Sequence, residues 1–228
     1  AARIEFAAAG GRINTDAVDN SAGVDLSDHE VNLKILLQTL NVTGARRLKI
    51  LRLQTDPIVR AVLQDNASQS RILSIEEWRS AREMDYYPRL LDTLGDAVAL
   101  SREIEGLPSD KQLAERAKLS RGMLRPELAV ILAYVKICIG RAISTYGRDI
   151  QKALADDPIF GNFLTGYFPP RISRAYRFRL ARHRLADLIV SNRAADTFVN
   201  RAGLTMAFRL AEECGVSLAA AVRAYLVS

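Results

Sequence analysis

The sequence predicts a mainly α-helical protein: a short α/β segment at the amino-terminal end, then an all-α domain. Three observations carry this. Helix-capping pairs recur along the chain, with serine followed three residues later by glutamate or glutamine at Ser27/Glu30, Ser74/Glu77 and Ser109/Gln112. Apolar residues fall at helical spacing through most of the length. The one stretch that reads as a strand, Arg12 to Asp16, lies near the start, between a helix and a cluster of turn formers.

In order, Ala1 to Ala9 is helix-forming and Gly10-Gly11 supplies the glycine that ends a helix in a left-handed turn. The chain therefore reads as beginning inside an element, with residues upstream of Ala1 cut away. The strand at Arg12 to Asp16 leads to the turn cluster Asp19-Asn20-Ser21-Ala22-Gly23. Helix, strand, loop and helix make an α/β unit in miniature. Ser27 opens the next helix, with Val31, Ile35 and Leu36 near one face, and that helix runs to about Leu40. Thr43 caps a basic segment ending near Gln54, and Asp56-Pro57 suits an N-cap and first helical position. The box Ser74/Glu77 leads a helix through Trp78 that Pro88 kinks or ends. Ser109/Gln112 starts another. Pro126 opens Glu127 to Ser144, apolar nearly all round and thus a central helix. Asp157-Pro158 starts a helix that Pro169-Pro170 ends, and Gly203, Gly215 and Ser217 punctuate what remains. A boundary between Asn66 and Ser74 divides the chain into residues 1–72 and 73–228.

With 228 residues, 49% of them hydrophobic, the chain can bury a substantial core, so disorder is excluded. The net charge of +6, from 32 basic and 26 acidic residues, is too modest to name a partner. Cys138 and Cys214 stand alone, which gives neither a disulfide framework nor a zinc site and fits a reducing, cytoplasmic setting. The most apolar run, Leu128 to Ile139, contains Lys136 and falls short of the roughly 20 residues a bilayer needs.

Several motifs fail on inspection. His29-Glu30 opens like a zinc-protease motif, but Leu33 stands where the second histidine belongs. No phosphate-binding glycine pattern and no nucleophile elbow occur, and His29 and His183 have no triad pattern around them. Cys138 reads as core and Cys214 as a helix end. Between Arg171 and Arg184 stand six arginines, Arg171, Arg174, Arg177, Arg179, Arg182 and Arg184, with Tyr176 and Phe178 interleaved. A nucleic-acid binder shows this pattern. Ile172, Tyr176 and Leu180 nevertheless line one stripe at i, i+4, i+8, so the segment is read as a solvated amphipathic helix, with anionic effector or subunit contact as the other reading.

The stretch from Gly11 to Asn32 is too polar for a mere connection. A loop entering a helix at Ser27 offers free N–H groups and the positive end of the helix dipole to a carboxylate. Asp25 and Asp28 oppose an anion there, so a cation from elsewhere is needed. The alternative is that Ser27 only caps its helix and Asn20 only makes a turn.

The run Asn14-Thr15-Asp16, Asp19-Asn20-Ser21-Ala22-Gly23-Val24-Asp25 and Ser27-Asp28-His29-Glu30-Val31-Asn32 closely resembles the large bacterial NAD-dependent glutamate dehydrogenases, whose chains are several times longer. Val62-Leu63-Gln64-Asp65-Asn66, Arg125-Pro126-Glu127-Leu128-Ala129-Val130, Tyr167-Phe168-Pro169 and Asn200-Arg201-Ala202-Gly203 extend the resemblance over essentially the whole chain. Leu26 departs from the cysteine often found there, and Ala67-Ser68 from a bulkier pair.

The resemblance implies that residues 1–72 end a Rossmann-type NAD-binding catalytic domain and that 73–228 form a helical carboxy-terminal domain. It implies that Asn20 hydrogen-bonds the nicotinamide carboxamide of NAD, that Val24 packs against the amino-acid substrate and that Ser27 meets its side-chain carboxylate. Glu30 stays structural, as the capping-box acceptor. The implied reaction is oxidative deamination of L-glutamate to 2-oxoglutarate and ammonia. The family's proton-handling lysine and aspartate, its carboxylate-binding lysines and its glycine-rich turn have no matching motif here. The chain alone is accordingly expected to be inactive, with no catalytic residue and no metal ligand assigned. A homo-oligomer is expected, and neither nucleic acid nor membrane as partner. The rival reading is a non-enzymatic assembly or regulatory module of the same polypeptide; a helical nucleic-acid binder is the third.

Overall fold

The computed structural model describes residues 2–146 and 158–228, and every regular element among them is helical. The elements are α1 (Ala2–Ala8), α2 (Asp16–Asp19), α3 (Ser21–Thr39), α4 (Gly44–Ser80), a 3₁₀ turn at Met84–Tyr86, α5 (Tyr87–Val98), α6 (Arg102–Glu105), α7 (Asp110–Lys118), α8 (Arg125–Tyr146), α9 (Pro158–Tyr167), α10 (Pro170–Leu180), α11 (Ala186–Ala202), α12 (Met206–Cys214) and α13 (Leu218–Val227). Ala1 and Asp157, both assigned above to helix starts, lie outside the described residues.

The apolar helix α8 is the hub. It packs against α1, α4, α5, α11 and α13, which is why it needs apolar residues on nearly every side. Leu128, Ile131, Leu132, Val135 and Ile139 are fully or almost fully buried along it. One contiguous core runs from Leu33, Leu36 and Leu37 of α3 through α8 to Phe198 of α11 and Val222 of α13.

Local signals are realised at many ends. Ser109 accepts from the Gln112 amide while the Gln112 side chain accepts from the Ser109 N–H, the reciprocal box the spacing predicts. Gly10 (φ 92°) follows α1, Gly215 (φ 61°) closes α12, and Ser217 caps α13. Cys214 ends α12 and Cys138 is buried in α8.

Several expectations are corrected. The strand at Arg12 to Asp16 does not form: residues 11–15 are irregular and Asp16 already begins α2. A single extended segment with no neighbouring strand has no ladder to join, and side chains hold it instead, with Arg3 donating to the Asn14 carbonyl (2.8 Å) and Arg125 to Asn14 Oδ1 (2.6 Å). The α/β segment expected within residues 1–72 is thus replaced by helices. Ser27 does not open a helix, because α3 starts six residues earlier at Ser21 with Asn20 as N-cap. Glu30 consequently caps nothing and pairs with Lys34 (2.6 Å) one turn on. Gly23 costs a helix interior about 1 kcal/mol, and tertiary contact outweighs it: Ala22 packs against the core and Ser21 Oγ bonds to Asn66 Oδ1 of α4.

The helices expected after Thr43, Asp56 and Ser74 are one helix, α4, of 37 residues. At 1.5 Å per residue it is about 55 Å long. Pro57 lies inside it and starts nothing; it frees the Leu53 carbonyl but does not end the helix, since Ile58, Val62, Ile72 and Leu73 beyond it are buried. Ser74 is not a cap: its hydroxyl donates to the Ser70 carbonyl (3.1 Å) one turn back. Pro88 ends no helix and sits in the first turn of α5, where a missing N–H is harmless. The position 72/73 falls within α4.

Candidate functional site

Asn20, Val24 and Ser27 are spaced i, i+4, i+7, so helix α3 brings them to one face. All three are exposed, Val24 at 73%. Val31, at i+11 on the same stripe, is exposed as well. An exposed row alternating amide, isopropyl, hydroxyl and isopropyl is unlike the opposite face, which buries His29, Asn32, Leu33, Leu36 and Leu37.

Asn20 is the joint between α2 and α3 (φ −106°, ψ 11°), and its side chain makes no capping bond. Ser27 sits mid-helix, so its N–H belongs to the helix and the anion seat expected from a helix start at that residue is absent there. Its hydroxyl alone faces outward.

The inward face is held by a polar lattice. Tyr167 of α9 donates to Asp28 Oδ2 (2.6 Å), receives a bond from Asn32 (2.8 Å) and stacks on His29 (4.3 Å between centroids, 16° between planes). Burial, followed by the bond to Asp28, drives the Tyr167 hydroxyl well above the usual phenol range. His183 Nε2 lies 3.0 Å from the Asn32 carbonyl. Burial pushes both histidines below the ordinary 6.5.

The remaining motif segments are also cross-links. Arg125, 6% exposed, bonds to Asn14, to the Ser70 carbonyl and hydroxyl, to Ser74 and to Glu77 (2.7 Å). Glu127, 1% exposed, takes both amino groups of Arg116 (2.6 and 2.9 Å) and the Leu124 N–H. At Gly203 the Ala202 carbonyl accepts from Arg79, which also holds the buried Glu76. A Cβ on Gly203 would fall 2.3 Å from both side chains.

Beside the Tyr167 lattice, sequence reasoning missed a second grouping. Asp25 and His29, one turn apart on α3, meet Asp65 of α4. Asp25 and Asp65 line a cleft of about 350 Å³ together with Asp28, Lys136, Arg193 and Asp196, with the buried His29 behind them. Asp65 pairs with Arg193 (2.6 Å) and Asp196 with Lys136 (2.8 Å). The spacing Asp-x-x-x-His signalled two of the three; the third comes from 36 residues further on and is placed only by the fold. The six arginines at Arg171 to Arg184 are all exposed, on and just beyond α10, whose stripe Ile172 and Leu180 is buried. No helix among the described residues is long and apolar enough to cross a membrane.

Comparison with known proteins agrees with the motifs. Residues 1–76 match the family described as bacterial NAD-glutamate dehydrogenase, catalytic domain, and residues 120–228 match glutamate dehydrogenase, C-terminal. The NAD-specific glutamate dehydrogenases of Mycobacterium tuberculosis, Halomonas elongata and Pseudomonas aeruginosa are each 36% identical over 230 residues. The match covers 99% of this chain, and the chain spans 14% of the length of those relatives. Two family matches on either side of α4's end, with relatives of one name along the full length, make the chain similar throughout to the large bacterial NAD-specific glutamate dehydrogenases.

Proposed function

We propose that the chain is the part of an NAD-dependent glutamate dehydrogenase that furnishes one wall of the substrate and nicotinamide pocket together with the helical carboxy-terminal region. The activity is oxidative deamination of L-glutamate to 2-oxoglutarate and ammonia. Residues 1–72 complete the catalytic domain and 73–228 form the helical domain, with α4 continuous through both. The observation that carries this reading is the exposed stripe Asn20, Val24 and Ser27 on a helix whose other face is locked in place.

Asn20 presents an amide free of capping duty, and one amide pairs with another as donor and acceptor at once, which suits the nicotinamide carboxamide. NAD supplies the hydride acceptor when bound. Val24 offers an apolar contact to the substrate's methylenes, and Ser27 a hydroxyl to its side-chain carboxylate. The charge partner for that carboxylate comes from outside this chain, since Asp25 and Asp28 make the local field unfavourable for an anion. The chain's contribution to rate is therefore alignment of the two reacting carbons.

In the whole enzyme, Asn20→Ala raises KM for NAD and Ser27→Ala raises KM for glutamate, each by roughly 5- to 30-fold, the equivalent of one lost hydrogen bond to a bound ligand. Unchanged KM and kcat in both variants would refute the assignment. The chain alone reduces no NAD with glutamate.

A second reading of the carboxy-terminal half rests on α10. Phe178 is 91% exposed among the arginines, and α10 breaks its helical geometry at Tyr176 (φ −127°, ψ 21°). We infer a subunit or anionic-effector contact there, in a homo-oligomer. Light scattering of the whole enzyme before and after reversing Arg174, Arg177 and Arg182 to glutamate checks it: an unchanged assembly state and effector response counts against it.

A further inference from the structure

We propose that Asp25, His29 and Asp65 form a binding site for one divalent transition-metal ion, of the zinc, cobalt or manganese class, distinct from the nicotinamide and glutamate contacts on the other face of α3. One ligand atom from each residue lies within 4.8 Å of the others. Ligand bonds of about 2.0 to 2.2 Å at tetrahedral angles place two donors on one ion roughly 3.3 to 3.6 Å apart, so side-chain rotations of about an ångström close the set.

The observation that points to a ligand is His29 itself. Its side chain is 4% exposed, yet Nε2 has no hydrogen-bond partner among the described residues. A buried imidazole nitrogen left unmatched costs free energy unless something meets it. Asp25 Oδ1 lies 3.7 Å from it, beyond hydrogen-bond reach. Tyr167 stacked on the ring, itself fixed by Asp28 and Asn32, sets the plane in which Nε2 points.

Charge agrees with geometry. The cleft gathers four carboxylates, Asp25, Asp28, Asp65 and Asp196, against two cations, Lys136 and Arg193. Four negative and two positive groups leave an excess of two, the charge a divalent ion neutralises. Arg193 takes Oδ2 of Asp65, so it can remain as an outer partner while the other oxygen turns to the ion. One imidazole and two carboxylates favour zinc, cobalt and manganese over magnesium and calcium, which prefer all-oxygen sets.

The test is titration of the chelator-stripped chain with Zn²⁺, in a Cys214→Ser background that removes the exposed thiol, alongside Co²⁺ absorption as a direct report of ligand geometry. One ion per chain is expected, with Zn²⁺ bound more tightly than Mn²⁺ and Mg²⁺ hardly at all. At about 100 times the Kd, Zn²⁺ should raise Tm by roughly 5 to 11 °C. Asp25→Asn and Asp65→Asn, which keep shape and only remove charge, should each weaken Zn²⁺ at least about 100-fold, the upper end of what losing even an outer-sphere partner costs. His29→Gln should do the same, and where it unfolds, the two asparagine variants decide alone. No saturable binding, or binding and a cobalt spectrum that survive in both asparagine variants, would overturn the proposal.

Discussion

Replacing Arg125 by methionine keeps most of the buried stem and removes the guanidinium. Five hydrogen bonds go with it, to Asn14, Ser70 (two), Ser74 and Glu77. Breaking a buried ion pair from one side costs about 3 to 5 kcal/mol. Two features pull toward the low end. Glu77 keeps 30% of its side chain in water, and Arg12 remains near it at 3.5 Å. The neutral bonds lost add about 1 kcal/mol each before water replaces them, and the Ser70 and Ser74 hydroxyls lie close enough to the surface to be rehydrated. A loss of about 3 kcal/mol is therefore expected, which for a chain of this size lowers Tm by roughly 6 to 12 °C. Thermal unfolding followed by circular dichroism at neutral pH measures it. Arg125→Lys should fall in between, since one ammonium cannot span Asn14, Ser70 and Glu77 together. A drop below about 2 °C for the methionine variant would refute the reasoning, because the lattice joining residue 14, α4 and α8 would then contribute almost nothing.

Gly203→Ala should be worse tolerated than its size suggests. At φ 97° and ψ −171° the residue occupies backbone territory that is essentially glycine's alone, and the new methyl would strike Glu76 and Arg79. Urea unfolding should show a loss above about 2 kcal/mol. Asp25 gives a pH signature: burial first, then the neighbouring Asp65, raise its carboxyl from 3.8 to about 6, with Asp196 and Asp28 adding and Arg193 opposing. A folded-state pKa above the unfolded one means the native chain holds the proton longer, so stability falls as pH rises from about 4 to 6 and is flat above. Subtracting the unfolding curve of Asp25→Asn isolates this from His29 and His183, whose values, depressed below 6.5, act in the opposite sense, stability rising with pH toward the ordinary histidine range.

The sequence revealed what is decided within a few residues. The Ser109/Gln112 box, the glycines at 10 and 215, the Ser217 cap and the all-round apolar α8 are local patterns with local causes, and the chain realises them. Ser27, Pro57 and Ser74 misled for the same physical reason. Each is a valid helix-start signal in isolation, but Pro57 and Ser74 have buried residues of α4 on both sides, and the turn before Ser27 is held helical by Ala22 against the core and Ser21 on Asn66. The strand expected at Arg12 to Asp16 needed a neighbour that no local pattern could reveal. For the candidate site, the family motifs picked out Asn20, Val24 and Ser27, and helical spacing explains why they share a face. The meeting of Asp65 with Asp25 and His29 was not legible, because it depends on how α3 and α4 lie side by side.

The proline within α4 separates two unequal stretches. One of the helix's seven buried side chains, Gln54, precedes Pro57 and six follow it, and every clamp from Arg193, Arg125 and Arg79 grips the later stretch. The amino-terminal end of α3 is tied there too, through Ser21 to Asn66. A flexure where the Leu53 carbonyl lacks its donor would swing residues 44–56 outward while leaving the row from Asn20 to Ser27 still. Any such bending would stay within one end of the molecule's longest rod, apart from the surface its other end supports.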